Sequence, residues 1–503
     1  MNKSTIGHAL TAHAKTVGDI DLADIARFDR FHVAEDGMLL DYSRHWIDEE
    51  IWQLLSQYAD AADLSGARAL LFAGGLVNKS EGRAALHPAT RGSPGGDTSQ
   101  QEIIRKQQTH MAQTIEDWHG RGICQVLHIG IGGSHLGPSL VVDALAKPEM
   151  AKRCRFLTSH DAAQRARLVD DLDLKTTAVV IVSKSFTTGE TIENARLVRE
   201  LYQHQNLDPS SYFYAVTAVP EKAQEWGIDQ GHILSILPEI GGRYSLWSSV
   251  GITAAWAIGV KAFEQLRAGA RAMDQHFLSR PWDQNMPVIM ALLGIWYRNF
   301  LDQRAHIIAP YHDGLRLLPP FLQQLEMESN GKRVDQFGEL LNHKTVPVLL
   351  GLPGTDCQHA FFQALHQGTD VIGVDFILTK TSTRALQAHG LAQGQALMVG
   401  HKDPDPERTC PGHRPSTTLV LDDLSPHHLG RLLALYEHKT FVQGVIWGVN
   451  SFDQMGVELG KRIARDLLER LEGADQLRTD DTHDRLDGST AGLLRYLRKP
   501  SLS

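Results

Sequence analysis

At 503 residues the chain is too long for one compact core, so two or three domains are expected. Hydrophobic residues make up 42% and charged residues 22%, an ordinary globular balance. A net charge of −9 without any block of Lys or Arg excludes a nucleic-acid surface, and no stretch approaches the ~18 apolar residues of a membrane helix. The first residues, MNKSTIGHALTAHAK, lack the apolar core of a signal peptide. Four cysteines show no metal-ligand spacing and 25 histidines are scattered, which points to a reduced, cytoplasmic protein without a metal site.

Residues 1–99 carry helical patterning, with Ile51, Leu54, Leu55 and Tyr58 on one face. The Gly/Pro/Ser-rich run 91–101 reads as a hinge. From about 102 to 275 strands and helices alternate, with strands predicted at 125–131, 176–183 and 211–218. A second alternating block runs from about 285 to 475, with strands at 306–311, 345–352 and 374–379. This alternation predicts an α/β fold of parallel sheets covered by helices.

Within the first block, HIGIGGSHLGP (128–138) puts glycines at 130 and 132, but His135 stands where a dinucleotide fingerprint needs its third glycine. Gly132, Gly133 and Ser134 still suit close backbone approach to an anion or a sugar hydroxyl; a tight strand-to-helix turn requiring small residues is the lesser alternative. SKSFTTGET (183–191) follows the buried-strand run AVVIV and opens a helix. Ser183, Ser185, Thr187, Thr188 and Thr191 supply hydroxyls, Lys184 a charge, and the helix end free N–H groups. So dense a set of donors suits a phosphoryl group. In GGRYSLWSSVG (241–251) a glycine pair clears space beside Arg243, whose permanently charged fork suits an anion; alone the signal is weak, and an Arg beside a Gly turn is more often a surface ion-pair residue.

In the second block, Pro319-Pro320 opens a helix that Asn330-Gly331 ends. Gln324 and Glu328 lie four apart on one face, and Glu328 falls in the last turn, where the negative helix end disfavours a charged carboxylate. That setting suits a general base, although a solvated helical glutamate fits the segment as well. Asp356 stands where a helix N-cap belongs, with His359 in the first turn behind it, placed to exchange protons or simply to pack. Lys461 lies on a helix whose core stripe is Val457, Ile463, Leu467, Leu468 and Leu471; taken alone it is a solvated lysine. The charged tail from 479 ends in a short helix, STAGLLRYLR.

Together, SKSFTTGET, GGRYSLWS, LQQLEMESNGK, PGTDCQHAFFQALHQGT, YEHKTFVQGVIWGVNSFDQMGVELGK and DGSTAGLLRY, with NKSEGRAALHPATR at 78–91, closely resemble the phosphoglucose isomerase family, in its order. The resemblance runs from about residue 78 to the C-terminus. It implies two sugar-isomerase domains, each a parallel sheet between helices, with helical extensions at both ends. The divisions are then 1–99, 100–275, 276–478 and 479–503. It also implies interconversion of glucose 6-phosphate and fructose 6-phosphate with no metal or organic cofactor, by a homodimer with shared active sites.

Carried over by motif, Ser183, Lys184, Ser185, Thr188 and Thr191 hold the phosphate, and Gly133 and Ser134 face the sugar. Glu328 moves the proton between carbons 2 and 1 through a cis-enediol while Arg243 stabilises its charge. His359, supplied by the other subunit, and Lys461 serve ring opening, and Gln324 and Gln454 orient the sugar. Ser185 replaces a usual Thr, Leu350-Gly351-Leu352 a Trp-Gly-Glu with a buried aromatic, and Asp356-Cys357 an Asn-Gly. His135 stands at a usual Asp, and Ser159-His160-Asp161 replaces a Ser-Asn sequence. A sugar-phosphate-binding regulator would need neither Glu328, His359 nor Lys461 and would carry a helix-turn-helix segment; a nicotinamide oxidoreductase would need the fingerprint that His135 breaks.

Overall fold

The computed structural model describes residues 2–472 and 486–498. These fall into two compact units, Met1–Phe452 and Asp453–Ser503. Positions 479–485 and 499–503 of the expected tail lie outside the described residues, while its helix is present as Gly488–Leu497.

The N-terminal segment is largely helical, as the patterning predicts, but it also contains a hairpin, β1 (His32–Glu35) and β2 (Met38–Asp41). The signal for it is Asp36-Gly37: both residues have positive φ, 48° and 72°, the turn that Asp-Gly pairs favour between antiparallel strands.

The first sheet comprises β3 (Gln125–Ile129), β4 (Cys154–Leu157), β5 (Thr177–Val182), β6 (Phe213–Thr217) and β7 (Ile233–Ser235), all parallel, in the order β4-β3-β5-β6-β7. Every residue of β5 is buried, as its unbroken apolar run predicts for a strand covered on both faces. The order reverses between β3 and β5. In open α/β sheets that switch point is where loops diverge and ligands enter, at the carboxyl ends.

The second sheet contains β8 (Ala305–Pro310), β9 (Val348–Gly351), β10 (Gly373–Thr379) and β11 (Ser416–Leu421), with the order β1-β2-β11-β10-β8-β9. Its four later strands are parallel, and the hairpin joins β11 antiparallel, so part of the supposed helical extension completes this sheet.

Helix Pro426–Trp447 is buried on every side from Leu429 onward, apart from a half-buried Val445, and it packs against helix Val260–Ser279. Glycines let the two backbones meet: a Cβ at Gly269 would stand 1.9 Å from the His427 carbonyl oxygen, and one at Gly430 2.0 Å from that of Leu266. Arg91 is sealed nearby, bound to Asp274 and Glu437, while Trp247 Nε1 donates to Glu437 at 2.9 Å. Removing one member would strand buried charge at a cost of about 3–5 kcal/mol. Among the described residues, no helix is long and apolar enough to cross a membrane.

Candidate active site

Two loops leave the carboxyl edge at the switch point. After β3 the chain makes a tight turn, Gly132–Ser134, with Gly132 at φ 58°, and enters helix Leu136–Leu145. After β5, Ser183–Thr188 leads into helix Gly189–His204. The loops adjoin, since a Cβ at Gly130 would lie 3.0 Å from the Ser134 Cβ and 3.2 Å from the Val182 carbonyl oxygen.

The second loop joins a buried strand to a helix, the local form expected from the sequence. No side chain caps the N-terminus of helix Gly189–His204, so its first N–H groups face outward uncommitted to a cap. Ser183 Oγ and Thr188 Oγ1 stand 3.1 Å apart, Ser185 Oγ and Thr187 Oγ1 2.7 Å. Thr191 Oγ1 is buried without a hydrogen-bond partner, an unfilled donor in the first helical turn. Phe186 holds the loop at φ 51°, a strained conformation for an aromatic residue, with its ring buried against Trp226.

Lys184 Nζ donates to the Pro238 carbonyl at 2.6 Å, and Arg83 Nη1 to the same oxygen at 2.9 Å. Burial, and next the Arg83 charge, pull the Lys184 ammonium down to about 8. Arg83 was not singled out from sequence; its motif, NKSEGRAALHPATR, was the available signal. If this cation helps to draw in a phosphate, kcat/KM should fall as pH rises through about 8, where the ammonium loses its proton. Lys184→Met should abolish that limb while lowering kcat/KM at pH 7; an unchanged alkaline limb in the variant would show that another group titrates.

Arg243 is the second residue of a turn, Gly242–Trp247, and is only 4% exposed. Its Nε donates to Ser329 Oγ at 2.6 Å and its Nη2 to the Ser451 carbonyl at 2.7 Å, while Nη1 stands 3.4 Å from Glu328 Oε2. Glu328 keeps its side chain 22% exposed, so the carboxylate lies between a buried cation and an open space. The Gly132–Ser134 turn closes onto this pair: a Cβ at Gly133 would lie 2.5 Å from the Arg243 backbone nitrogen, and one at Gly132 2.9 Å from Gln324 Nε2. Gly132, Gly133, Gln324, Arg243 and Glu328 thus converge from three separate elements.

The Glu328 segment is wound differently from the predicted α-helix. Leu318–Leu322 is α-helical with prolines in its first turn, as read, but Gln323–Glu328 forms a π-turn, the wider winding often found at functional sites. Gln324 and Glu328 still emerge toward the same group of residues. Ser329 and Tyr244 complete the setting, the tyrosine hydroxyl lying 2.9 Å from Ser329 Oγ.

Elsewhere the structure corrects the sequence reading. Helix Gly354–Ala360 starts directly after Pro353, so Asp356 lies within its first turn instead of capping it, and His359 falls in its last turn. His359 therefore stands at the opposite end of the helix from its expected place, and it is exposed. Cys357 is fully buried, its thiol pushed up to about 11 by burial. Leu350 and Leu352 are 44% and 41% exposed, so both are surface positions in the single chain. His135 is half-buried and held down to about 4 by burial, hence neutral at pH 7. Gln454 and Lys461 belong to the second unit; Lys461 Nζ is paired there with Glu458 at 2.8 Å on helix Glu458–Leu471.

Sheets that open donor-rich loops at a switch point define an α/β enzyme class that grips small phosphorylated or otherwise anionic molecules. The sequence profile described as Phosphoglucose isomerase matches residues 41–494, and the chain belongs to that family. It is 39% identical to a glucose-6-phosphate isomerase of Chlorobium luteolum, across 99% of this chain and 98% of that one. It is 41% identical to one of Methylibium petroleiphilum, across 98% and 97%. Among solved structures it is similar to a glucose-6-phosphate isomerase from Chlamydia trachomatis, with a TM-score of 0.87 and 31% identity over 97% of this chain and 98% of that chain.

Proposed function

We propose that the chain catalyses the reversible isomerisation of glucose 6-phosphate and fructose 6-phosphate through a cis-enediol, in glycolysis and gluconeogenesis. The observation that carries this reading is the half-open Glu328 carboxylate 3.4 Å from a buried Arg243, beside the loops of the switch point. Moving a proton between adjacent carbons needs a base aimed at them and a fixed cation for the charge that develops on oxygen. Glu328 is that base and Arg243 that cation. The hydroxyls of Ser183, Ser185, Thr188 and Thr191, with Lys184, hold the phosphate, and Gly133, Ser134, Gln324 and Gln454 orient the sugar. Gripping the phosphate far from carbons 1 and 2 converts remote binding into orientation. Lys461 and His359 move protons as the ring opens.

The same reading divides the chain at 1–99, 100–275, 276–478 and 479–503, with the hairpin β1–β2 lent to the second sheet. It makes the protein a cytoplasmic homodimer, consistent with free cysteines at 124, 154, 357 and 410. A coupled assay of purified protein with fructose 6-phosphate should show turnover that survives a chelator; no turnover rejects the reading.

Because His359 is exposed and is assigned to the neighbouring subunit's site, mixing inactive His359→Ala with inactive Glu328→Gln protein should restore activity. After complete subunit exchange about half of the dimers are mixed, and each has one intact site, so about a quarter of wild-type activity is expected. Exchange without any recovery would place His359 and Glu328 in the same subunit's site.

A further inference from the structure

Two residues before Glu328, the Glu326 carboxylate is only 1% exposed, and Lys439 Nζ donates to both of its oxygens at 2.7 Å. Lys439 is itself 5% exposed and projects from the buried helix Pro426–Trp447. The next residue of that helix, Thr440, accepts at its carbonyl from Asn330 Nδ2 at 2.8 Å. One stretch of buried helix therefore holds the Glu328 segment on both sides of the carboxylate, at 326 and at 330. Between those holds, Glu328 and Ser329 both face Arg243.

A buried ion pair is a poor source of stability, since an apolar pair of similar volume often serves as well or better. What it adds is direction, because a charge-assisted bond to both oxygens fixes where the carboxylate points. Close packing does not fix it on every side: Glu326 and Lys439 border a cavity of about 30 Å³, also lined by His45, Asp375 and Gln443. The π-turn needs such a hold, since its wider winding is rarely stable without surroundings that impose it. We infer that Lys439 is a positioning residue for the isomerisation: by gripping Glu326 it sets the wide turn at the angle that brings Glu328 to the substrate carbons. This rests on Glu328 being the base.

Lys439→Met alone would leave Glu326 charged and buried, so the informative change is Glu326→Leu with Lys439→Met. This variant should fold, with a wild-type circular dichroism spectrum and a KM for fructose 6-phosphate within about 3-fold of wild type. Its kcat should fall on the order of 30- to 100-fold, the size expected for a misplacement of about 1 Å. Introduced into Glu328→Gln, the same pair of substitutions should lower the residual kcat by less than about 3-fold, because no base remains to be placed.

A folded double variant with unchanged kcat overturns the proposal, as does an undiminished loss in the Glu328→Gln background. If the apolar pair does not fold, Lys439→Arg decides: the longer planar fork keeps the charge but shifts the grip, and should lower kcat only where Glu328 is present. Wild-type kcat in Lys439→Arg then overturns the proposal. Near-normal turnover of Glu328→Gln by itself would remove the base, and with it the role of Lys439, a failure distinct from that of the double variant.

Discussion

Glu328→Gln should slow turnover of fructose 6-phosphate by about 10³-fold or more while leaving KM nearly unchanged, a loss of about 4 kcal/mol from the transition state. The substitution is isosteric. A glutamine oxygen can still accept from Arg243 Nη1, and the anchoring bonds of Ser329 and Asn330 belong to other residues. What disappears is the ability to take a proton, which has no substitute within the reach of carbons 1 and 2 in this account. Phosphate affinity should survive because the cradle is built on the loop after β5, a separate element from the π-turn. Initial rates with circular dichroism check the expectation; near-normal kcat would take Glu328 out of the mechanism.

The second large effect is steric. Gly133→Ala should lower kcat/KM by about 10²-fold, because its Cβ would lie 2.2 Å from the Gly242 carbonyl carbon, 2.4 Å from that oxygen and 2.5 Å from the Arg243 nitrogen. These are backbone atoms and cannot rotate aside, so the Gly132–Ser134 turn and the Arg243 turn must separate. The overpacking itself should cost about 1–3 kcal/mol of stability, visible as a lower Tm in a protein that still folds. Activity within a few-fold of wild type would mean that the two turns are not held in register for function.

Six strands were legible from apolar runs, among them the fully buried β5. The five that were not have physical reasons. Strands β1 and β2 flank an Asp-Gly turn inside a segment whose helical periodicity dominates. Strand β4 is four residues, β7 three, and β11 begins Ser-Thr-Thr, so none shows a sustained apolar run. The loop at 183–191 is legible because its hydroxyls crowd one short stretch between a buried strand and a helix. The spacing of Gln324 and Glu328 identified the facing residues but not their winding. The π-turn is in contact with residues far along the chain, Glu326 with Lys439 113 positions away, and no local pattern encodes such contacts. The Asp356 cap was misread because Pro353, at φ −51° and ψ 146°, ends the preceding extended segment and lets the helix begin at Gly354. Arg243 gave a weak signal for the same reason as Lys439: its meaning lies in Ser329, Ser451 and Glu328, all far along the chain.

The central claim is that one bound hexose is held by its phosphate at 183–191 while Glu328 meets its other end. A crystal structure with a five-carbon sugar-acid phosphate, a mimic of the enediol, tests it most directly. The account predicts phosphate oxygens on Ser183, Ser185, Thr188 and Thr191, with the Glu328 carboxylate about 3 Å from the atoms that stand for carbons 1 and 2. A phosphate bound away from that loop, or a Glu328 side chain turned from the ligand, would contradict it.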